Sequence, residues 1–145
     1  HHPDRARRIE PAEASDILQA EHERGHVQHA FFKDAMLQRF YAICNCCSCC
    51  CGAMEAQRHG VPMLASSGFL AHIQEDLCKG CGLCAGHCPF AALEPGEKGD
   101  VPRLDTDICL GCGVCVDHCP TKAISLERAP EKGLPLDIVD LLEGR

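Results

Sequence analysis

Apolar residues recur at helical spacing near the start of the chain. In the segment PAEASDILQAEHERG, the apolar positions on one face are Ala14, Ile17, Leu18 and Ala20. Gly25 then stands where a helix commonly ends in a left-handed residue. The pattern predicts a helix over residues 11–24.

Shorter segments predict one more helix and several short strands. GAMEAQRHG, residues 52–60, predicts a helix that ends at Gly60, because Pro62 prevents its continuation. FLAHI, residues 69–73, predicts a strand. The loop EPGEKGDVPRLDTD is rich in turn-forming and charged residues, so it predicts a surface connection that ends in a short strand near residues 101–104.

Aromatic side chains are concentrated in the segment FFKDAMLQRFYAIC, which contains Phe31, Phe32, Phe40 and Tyr41. They could cover a metal centre and exclude water, or they could form a small core against the rest of the chain. We favour the second interpretation, because aromatic residues dominate core burial in general.

Composition changes this picture, because the chain has few large side chains from which to build a core. Its 145 residues include 14 cysteines, 4% aromatic residues and no tryptophan. Disulfides or metal must therefore supply much of the stability. Adjacent cysteines bridge poorly, and no secretory signal is recognised, so metal is favoured over disulfides. The sequence also predicts no membrane span and a cytoplasmic location.

An internal repeat contains eight of the cysteines. Residues 78–89 read CKGCGLCAGHCP and residues 109–120 read CLGCGVCVDHCP, both C-x2-C-x2-C-x3-C-P. Four thiolates at this spacing can surround a cubane of four irons, and the intervening glycines allow backbone amides to approach its sulfurs. The alternative, structural zinc, also accepts four cysteines. Two complete runs, each closed by proline, favour two 4Fe-4S clusters.

These runs resemble a bacterial-type dicluster ferredoxin domain over roughly residues 66–128. The resemblance implies a pseudo-twofold fold of two short antiparallel hairpins and two short helices, with one-electron transfer as its function. It also implies crossed ligation, in which the fourth cysteine of each run binds the other cluster. Cluster I would take Cys78, Cys81, Cys84 and Cys119, and cluster II would take Cys109, Cys112, Cys115 and Cys88.

His87 and His118 each precede the fourth cysteine of a run. They could tune the clusters with pH, or they could be surface residues duplicated with the repeat. We favour the second interpretation, because tuning requires a hydrogen bond to a cluster sulfur.

The segment CNCCSCCC contains the remaining six cysteines, which are Cys44, Cys46, Cys47, Cys49, Cys50 and Cys51. Three interpretations compete: a third iron-sulfur centre bound by some or all of them, a zinc or copper site with bridging thiolates, and a reactive dithiol. The iron-sulfur centre is favoured, because a cell that loads two clusters into the chain already delivers iron and sulfide to it. A centre larger than one cubane remains open, because six thiolates exceed four.

The wider arrangement resembles a family of 4Fe-4S dicluster proteins from anaerobic bacteria and archaea. In that family a C-N-C-C-x-C-C-C motif precedes two ferredoxin runs, and here the match covers approximately residues 12–128. Longer members carry a further N-terminal region with cysteines. We therefore expect this sequence to be a fragment or a short member.

The predicted fold class is α+β. A mainly helical, cysteine-rich extension over residues 1–65 precedes the ferredoxin-like domain of residues 66–128. A tail with a short helix follows at residues 129–145.

The favoured function is electron transfer by an iron-sulfur protein. The alternatives are a redox enzyme module with the cysteine-rich centre as its catalytic site, and a redox or metal sensor. No nucleotide-binding loop is present. The net charge of −7 predicts a redox partner with a basic docking patch and argues against nucleic-acid binding.

Overall fold

The computed structural model describes residues 4–32, 40–135 and 137. Helices α1 to α4 comprise Pro11–Glu23, Gly52–Arg58, Leu83–His87 and Val114–Asp117. Strands β1 to β6 comprise Val27–Phe32, Phe40–Cys46, Phe69–Ile73, Leu93–Glu94, Arg103–Leu104 and Ile124–Arg128. Two 3-10 turns lie at Glu75–Leu77 and Pro130–Lys132.

The N-terminal extension combines two helices with a β-hairpin. Helix α1 confirms the prediction over residues 11–24 to within one residue, and α2 confirms the helix after the cysteines. Strands β1 and β2 pair antiparallel between them. The expectation of a mainly helical extension therefore needs correction. The β1 segment VQHAFF contains the β-branched and aromatic residues that favour strands, and its partner includes the first three residues of the cysteine-rich motif.

Helix α1 is held mainly by polar contacts. It has no buried residues, and Ile17, on the predicted apolar face, is 41% exposed. The Gln28 side chain donates a hydrogen bond to the Leu18 carbonyl, 2.6 Å away. His22 Nε2 lies 2.6 Å from Asp117 Oδ2, which links α1 to α4. The helix is thus attached at its C-terminal end to both β1 and the second cysteine run.

The ferredoxin-type part has two two-stranded antiparallel sheets. Strand β3 pairs with β6, joining the two ends of this region, and β4 pairs with β5. In this region only the β4–β5 pair is a local hairpin. The second of the two expected hairpins is instead a pairing of two strands that are distant in the sequence, β3 and β6. Helices α3 and α4 each begin immediately after the glycine of a C-x-x-C-G sequence and contain the third cysteine of a run.

Two hydrophobic clusters form the core. The first lies around the sheets and includes Ala71, Ala92, Leu93 and Ile124 with several cysteines of the two runs. The second lies between the extension and the ferredoxin-type part, and its buried members are Val27, Cys46, Met54, Phe90 and Val114. Met54 and Val114 are the largest side chains that are fully buried among the described residues. The core is therefore small, as the composition predicts.

The predicted aromatic core is described only in part. Phe31 is 40% exposed, which does not suit a core position. The side chains of Phe32, Phe40 and Tyr41 lie outside the described residues. Phe90, at the end of the first cysteine run, is the aromatic residue that the second cluster buries.

The C-terminal tail is described as far as residue 135 and again at residue 137. It contains the 3-10 turn Pro130–Lys132, while the rest of the predicted short helix would fall on residues outside the described ranges. In the part of the chain that the structure describes, none of the helices has the length and apolar character that crossing a membrane requires.

Candidate metal centres

The first candidate centre is a cavity that combines cysteines from both runs. We call it cavity I. Its cysteines are Cys78, Cys81 and Cys84 of the first run and Cys119 of the second. Pro102, Pro120 and Ile124 also line it. Cys81 is exposed and Cys84 is buried, so this cavity reaches from the core to the surface.

The second candidate centre, cavity II, has the reciprocal arrangement. Its cysteines are Cys109, Cys112 and Cys115 of the second run and Cys88 of the first. The other lining residues are predominantly apolar and include Ala71, Phe90 and Leu126. Cys109 and Cys115 are buried. The structure thus brings together the same two sets of four cysteines that the family resemblance implies, and each set has the thiol donors that a 4Fe-4S cluster takes.

Backbone amides point at the crossing cysteine of each run. Ala92 N–H donates to Cys88 Sγ over 3.3 Å, and Ala123 N–H donates to Cys119 Sγ over the same distance. Hydrogen bonds to a sulfur favour its thiolate form, which is the form that binds metal. The two runs therefore form the same backbone contact at equivalent positions.

Two positive φ angles outside glycine accompany these bonds. Ala91 has φ 57° and Lys122 has φ 52°, and each lies three residues after a crossing cysteine. Residues with a β-carbon adopt this conformation uncommonly. Here it belongs to the turn that presents the next amide to the sulfur. Sequence analysis missed both residues, and their equivalent place in the repeat was the signal available.

One glycine of the second run lies where no side chain fits. Gly111 has φ +65°, and a β-carbon there would lie 2.2 Å from the Phe69 carbonyl oxygen. Gly113 has a similar φ of +83°, but a β-carbon there would meet only Leu126 Cδ1, at an ordinary 3.6 Å. Glycine at position 111 is therefore needed both for the positive φ and for the close approach of the backbone to β3. Glycine at position 113 is needed for the positive φ alone.

We expect Gly111→Ala to destabilise the metal-loaded protein more than Gly113→Ala. Both changes carry the cost of a left-handed alanine, roughly 1–2 kcal/mol. Gly111→Ala adds a collision with backbone, worth roughly 1–3 kcal/mol more. Urea denaturation followed by loss of cluster absorption measures the difference, with Gly113→Ala as the matched control. Equal urea midpoints for the two variants would show that the close contact between Gly111 and β3 does not affect stability.

Burial opposes ionisation of the cavity II thiols. Burial raises the pKa of Cys112 to about 11 and, together with neighbouring cysteines, raises the pKa of Cys115 to about 12. In cavity I, burial also raises the pKa of Cys84. Without metal these sulfurs are therefore protonated thiols at neutral pH. Binding of a cationic centre releases their protons, so metal affinity should fall as the pH falls.

The two histidines of the repeat contact each other. The imidazole rings of His87 and His118 stack with their centroids 4.0 Å apart, and His118 Nδ1 lies 2.8 Å from the Val114 carbonyl oxygen. The stack joins the ends of α3 and α4 directly before the crossing cysteines. It gives these residues a structural role in packing that neither interpretation from sequence included.

The cysteine-rich motif joins a strand to a helix. Cys44 and Cys46 lie in β2, residues 48–50 form a turn, and Cys51 is the N-cap residue of α2. The turn is closed by a hydrogen bond from Cys51 N–H to the Cys47 carbonyl, 3.3 Å away.

Cys44 and Cys46 form a disulfide, with their Cα atoms 5.6 Å apart. The general preference for metal over disulfides is therefore wrong for this pair. The geometric objection applies to adjacent cysteines, whereas residues i and i+2 of a strand point to the same face. Because a disulfide sulfur is not a thiolate, this form of the motif has four free cysteines, which are Cys47, Cys49, Cys50 and Cys51.

Three of these free cysteines gather at the turn. The sulfurs of Cys47, Cys49 and Cys50 all lie within 4.8 Å of one another, as the ligands of one metal ion would. Hydrogen bonds from Cys49 and Cys50 lower the pKa of Cys47 to about 6. The same contacts raise the pKa of Cys50 to about 11. The trio, as we call it, therefore favours a thiolate at Cys47, beside the exposed Cys49 and Cys50.

Arg58 connects this motif to the ferredoxin-type part. Its guanidinium donates to the Ser48 carbonyl within the turn over 3.0 Å, and to the Pro89 carbonyl over 3.4 Å. Pro89 directly follows Cys88 of cavity II. In addition, Cys44, Cys51, Cys88 and Cys112 all pack against the second hydrophobic cluster. The motif consequently lies against cavity II rather than cavity I.

Comparison with known families supports the assignment of the two runs. Residues 77–123 match the model of the 4Fe-4S dicluster domain family. No curated protein matches the chain significantly. The matched region contains all eight cysteines of the two cavities and is a ferredoxin-type dicluster domain, which supports iron-sulfur cofactors and an electron-transfer module. The match does not extend to the cysteine-rich motif.

Proposed function

We propose that the chain is an electron-transfer module with two 4Fe-4S clusters, one bound in cavity I and the other in cavity II. The observation that carries this proposal is the crossed lining of the cavities. Each combines three cysteines of one run with the fourth cysteine of the other. A 4Fe-4S cluster needs four thiolates and exchanges one electron, so two such sites form a short electron path.

Cavity I is the better candidate for contact with the redox partner. Its Cys81 is exposed, and the neighbouring Leu77 and Leu83 are both 48% exposed. Apolar residues around an exposed metal ligand suit a transient contact in which water is excluded from the path. The acidic chain, with net charge −7, would attract a partner whose docking patch is basic. The same charge disfavours nucleic acids.

We further propose that the trio Cys47, Cys49 and Cys50 binds a third centre, with iron-sulfur favoured over zinc. The closeness of the three sulfurs and the low pKa of Cys47 support metal binding there. The Arg58 contacts with Ser48 and Pro89 support its location beside cavity II. The electron path would then run from cavity I through cavity II to the trio.

Iron content tests the third centre. We expect anaerobically loaded protein with Cys47, Cys49 and Cys50 all changed to serine to lose iron beyond the roughly eight irons of two cubanes. The paired variant Cys44→Ser, Cys46→Ser should keep that iron, because it leaves the trio intact. Iron and sulfide assays with EPR of the reduced proteins measure this. An unchanged iron content and spectrum in the triple variant would show that the trio holds no iron, and loss of zinc instead would favour the zinc interpretation.

One observation favours the redox-enzyme alternative for the same centre. The trio supplies three sulfurs, and Cys49 and Cys50 are exposed. A metal held from one side by three thiolates keeps a position at which a small substrate could bind. We expect cyanide to change the EPR spectrum of the third centre if that position is open. A spectrum insensitive to cyanide would favour the pure carrier.

A further inference from the structure

We propose that Cys44 and Cys46 form a redox-active disulfide that accepts two electrons and then reduces a disulfide substrate. This inference rests on the proposed electron-transfer function, which supplies low-potential electrons one at a time. It assigns a second activity to the extension, and the substrate class is an accessible disulfide.

The disulfide is poorly explained as a structural cross-link. Only Asn45 separates its two cysteines. In the chain-entropy account, a disulfide stabilises a fold by restricting the unfolded chain, and this effect is smallest for the shortest loops. Both cysteines also belong to a strand that is already paired with β1 along its length. A cross-link here adds little constraint, so a chemical role is the better explanation.

The disulfide lies beside the second cavity. Cys46 is 5% exposed and belongs to the second hydrophobic cluster, against which Cys88 and Cys112 also pack. The buried members of that cluster are all apolar or sulfur-containing. The sulfur pair is thus in the same packed layer as two of the cysteines of cavity II.

The two cysteines differ in their access to solvent, which gives them different roles. Cys46 is buried, while Cys44 is partly exposed. In thiol–disulfide exchange, an accessible thiolate attacks first and a second thiol resolves the mixed disulfide. The exposure assigns attack to Cys44 and resolution to Cys46.

An open cavity beside β1, the strand that pairs with the disulfide-bearing strand, offers space for a substrate. Val27 and His29 are the cross-strand partners of Cys46 and Cys44, so they lie on the same face of the hairpin. Both line a cavity of about 740 Å³, which Cys112 also lines. The buried Nδ1 atom of His29 has no hydrogen-bond partner. A polar group of a bound substrate would satisfy it.

The reaction balances in two stages. In the first, the Cys44–Cys46 bond breaks, and the two sulfurs take up two electrons from the low-potential donor and two protons from solvent. In the second, the Cys44 thiolate attacks one sulfur of the substrate disulfide and releases the other as a thiolate, which takes a proton. Cys46 then attacks Cys44, releases the second substrate thiol and re-forms the protein disulfide.

Electron counting tests the first stage. In an anaerobic titration of the loaded protein with a photoreduced deazaflavin, we expect the wild type to take up two more electrons per chain than the Cys44→Ser, Cys46→Ser variant. Peptide mapping after alkylation should show Cys44 and Cys46 blocked before the titration and free after it. Equal electron uptake, or free thiols at both positions in the oxidised protein, would overturn the proposal. Absence of any cluster EPR signal would instead reject the proposed electron-transfer function.

Trapping tests the second stage and the assigned roles. With oxidised glutathione, the reduced Cys46→Ser variant should accumulate a mixed disulfide at Cys44, because the resolving thiol is missing. The Cys44→Ser variant should accumulate at least several-fold less at Cys46. The His29→Leu variant, combined with Cys46→Ser, should form the Cys44 adduct more slowly. Adducts confined to the exposed Cys49 and Cys50 in the Cys46→Ser variant would contradict the substrate-reducing role.

Discussion

Changing Cys88 and Cys115 together to serine is expected to remove one 4Fe-4S cluster and to leave the other intact. Both cysteines line cavity II, so the double variant damages a single site. We expect a loss of about four irons per chain, since a cubane contains four. Iron analysis of the anaerobically loaded protein measures this loss, and EPR of the reduced protein should keep the signal of the remaining cluster.

The matched control pairs Cys88 with Cys84. Cys84 and Cys115 occupy equivalent positions in the two runs, and their exposures are 7% and 8%. Cys84, however, lines cavity I, so changing Cys84 and Cys88 to serine damages both sites. We expect this variant to lose about eight irons. The reverse ranking of the two double variants would show that each run binds its own cluster and that the ligation is not crossed.

Removal of metal is expected to abolish cooperative folding. The described core has only two large side chains that are fully buried, Met54 and Val114. Many of its other members are cysteines and alanines, which contribute little apolar area. Metal binding must therefore supply much of the folding free energy. Chelation under anaerobic, reducing conditions should eliminate the thermal transition seen by circular dichroism.

Reloading provides the control for this second result. Iron and sulfide added back anaerobically should restore the transition, which distinguishes loss of metal from irreversible damage by the chelator. A metal-free chain with a sharp transition near that of the loaded protein would contradict the expectation, because the polypeptide would then be stable by itself.

The helices and strands with a regular spacing of apolar residues, or with a glycine at their end, were predictable from the sequence. Helix α1 follows from its apolar spacing and from Gly25, which has the expected positive φ of 82°. Strand β3 coincides with the predicted residues 69–73. The repeated C-x2-C-x2-C-x3-C-P spacing indicated the two runs, and the resemblance to dicluster ferredoxins implied the two crossed sets of four cysteines that line the cavities. In each case local chain geometry determines the outcome.

The hairpin and the chemistry of the cysteine-rich motif were not predictable in the same way. In β2, cysteines occupy the buried face and hide the apolar–polar alternation by which a strand is normally identified. The pairing with β1 is a tertiary contact that no local preference specifies. The division of six cysteines into a disulfide, a trio and Cys51 depends on the turn at residues 48–50. The spacing of the cysteines in the sequence does not specify this division.

The crossed lining of the cavities also governs how the protein can be made. During synthesis the first run emerges before the second, yet cavity I lacks Cys119 and cavity II has only Cys88 until the later cysteines are translated. Neither site can be completed on a nascent chain that ends between the runs. Under the proposed two-cluster function, cofactor insertion at either site would have to wait for translation of the second run. A chain truncated in the loop that connects the two runs would therefore have no complete four-cysteine site.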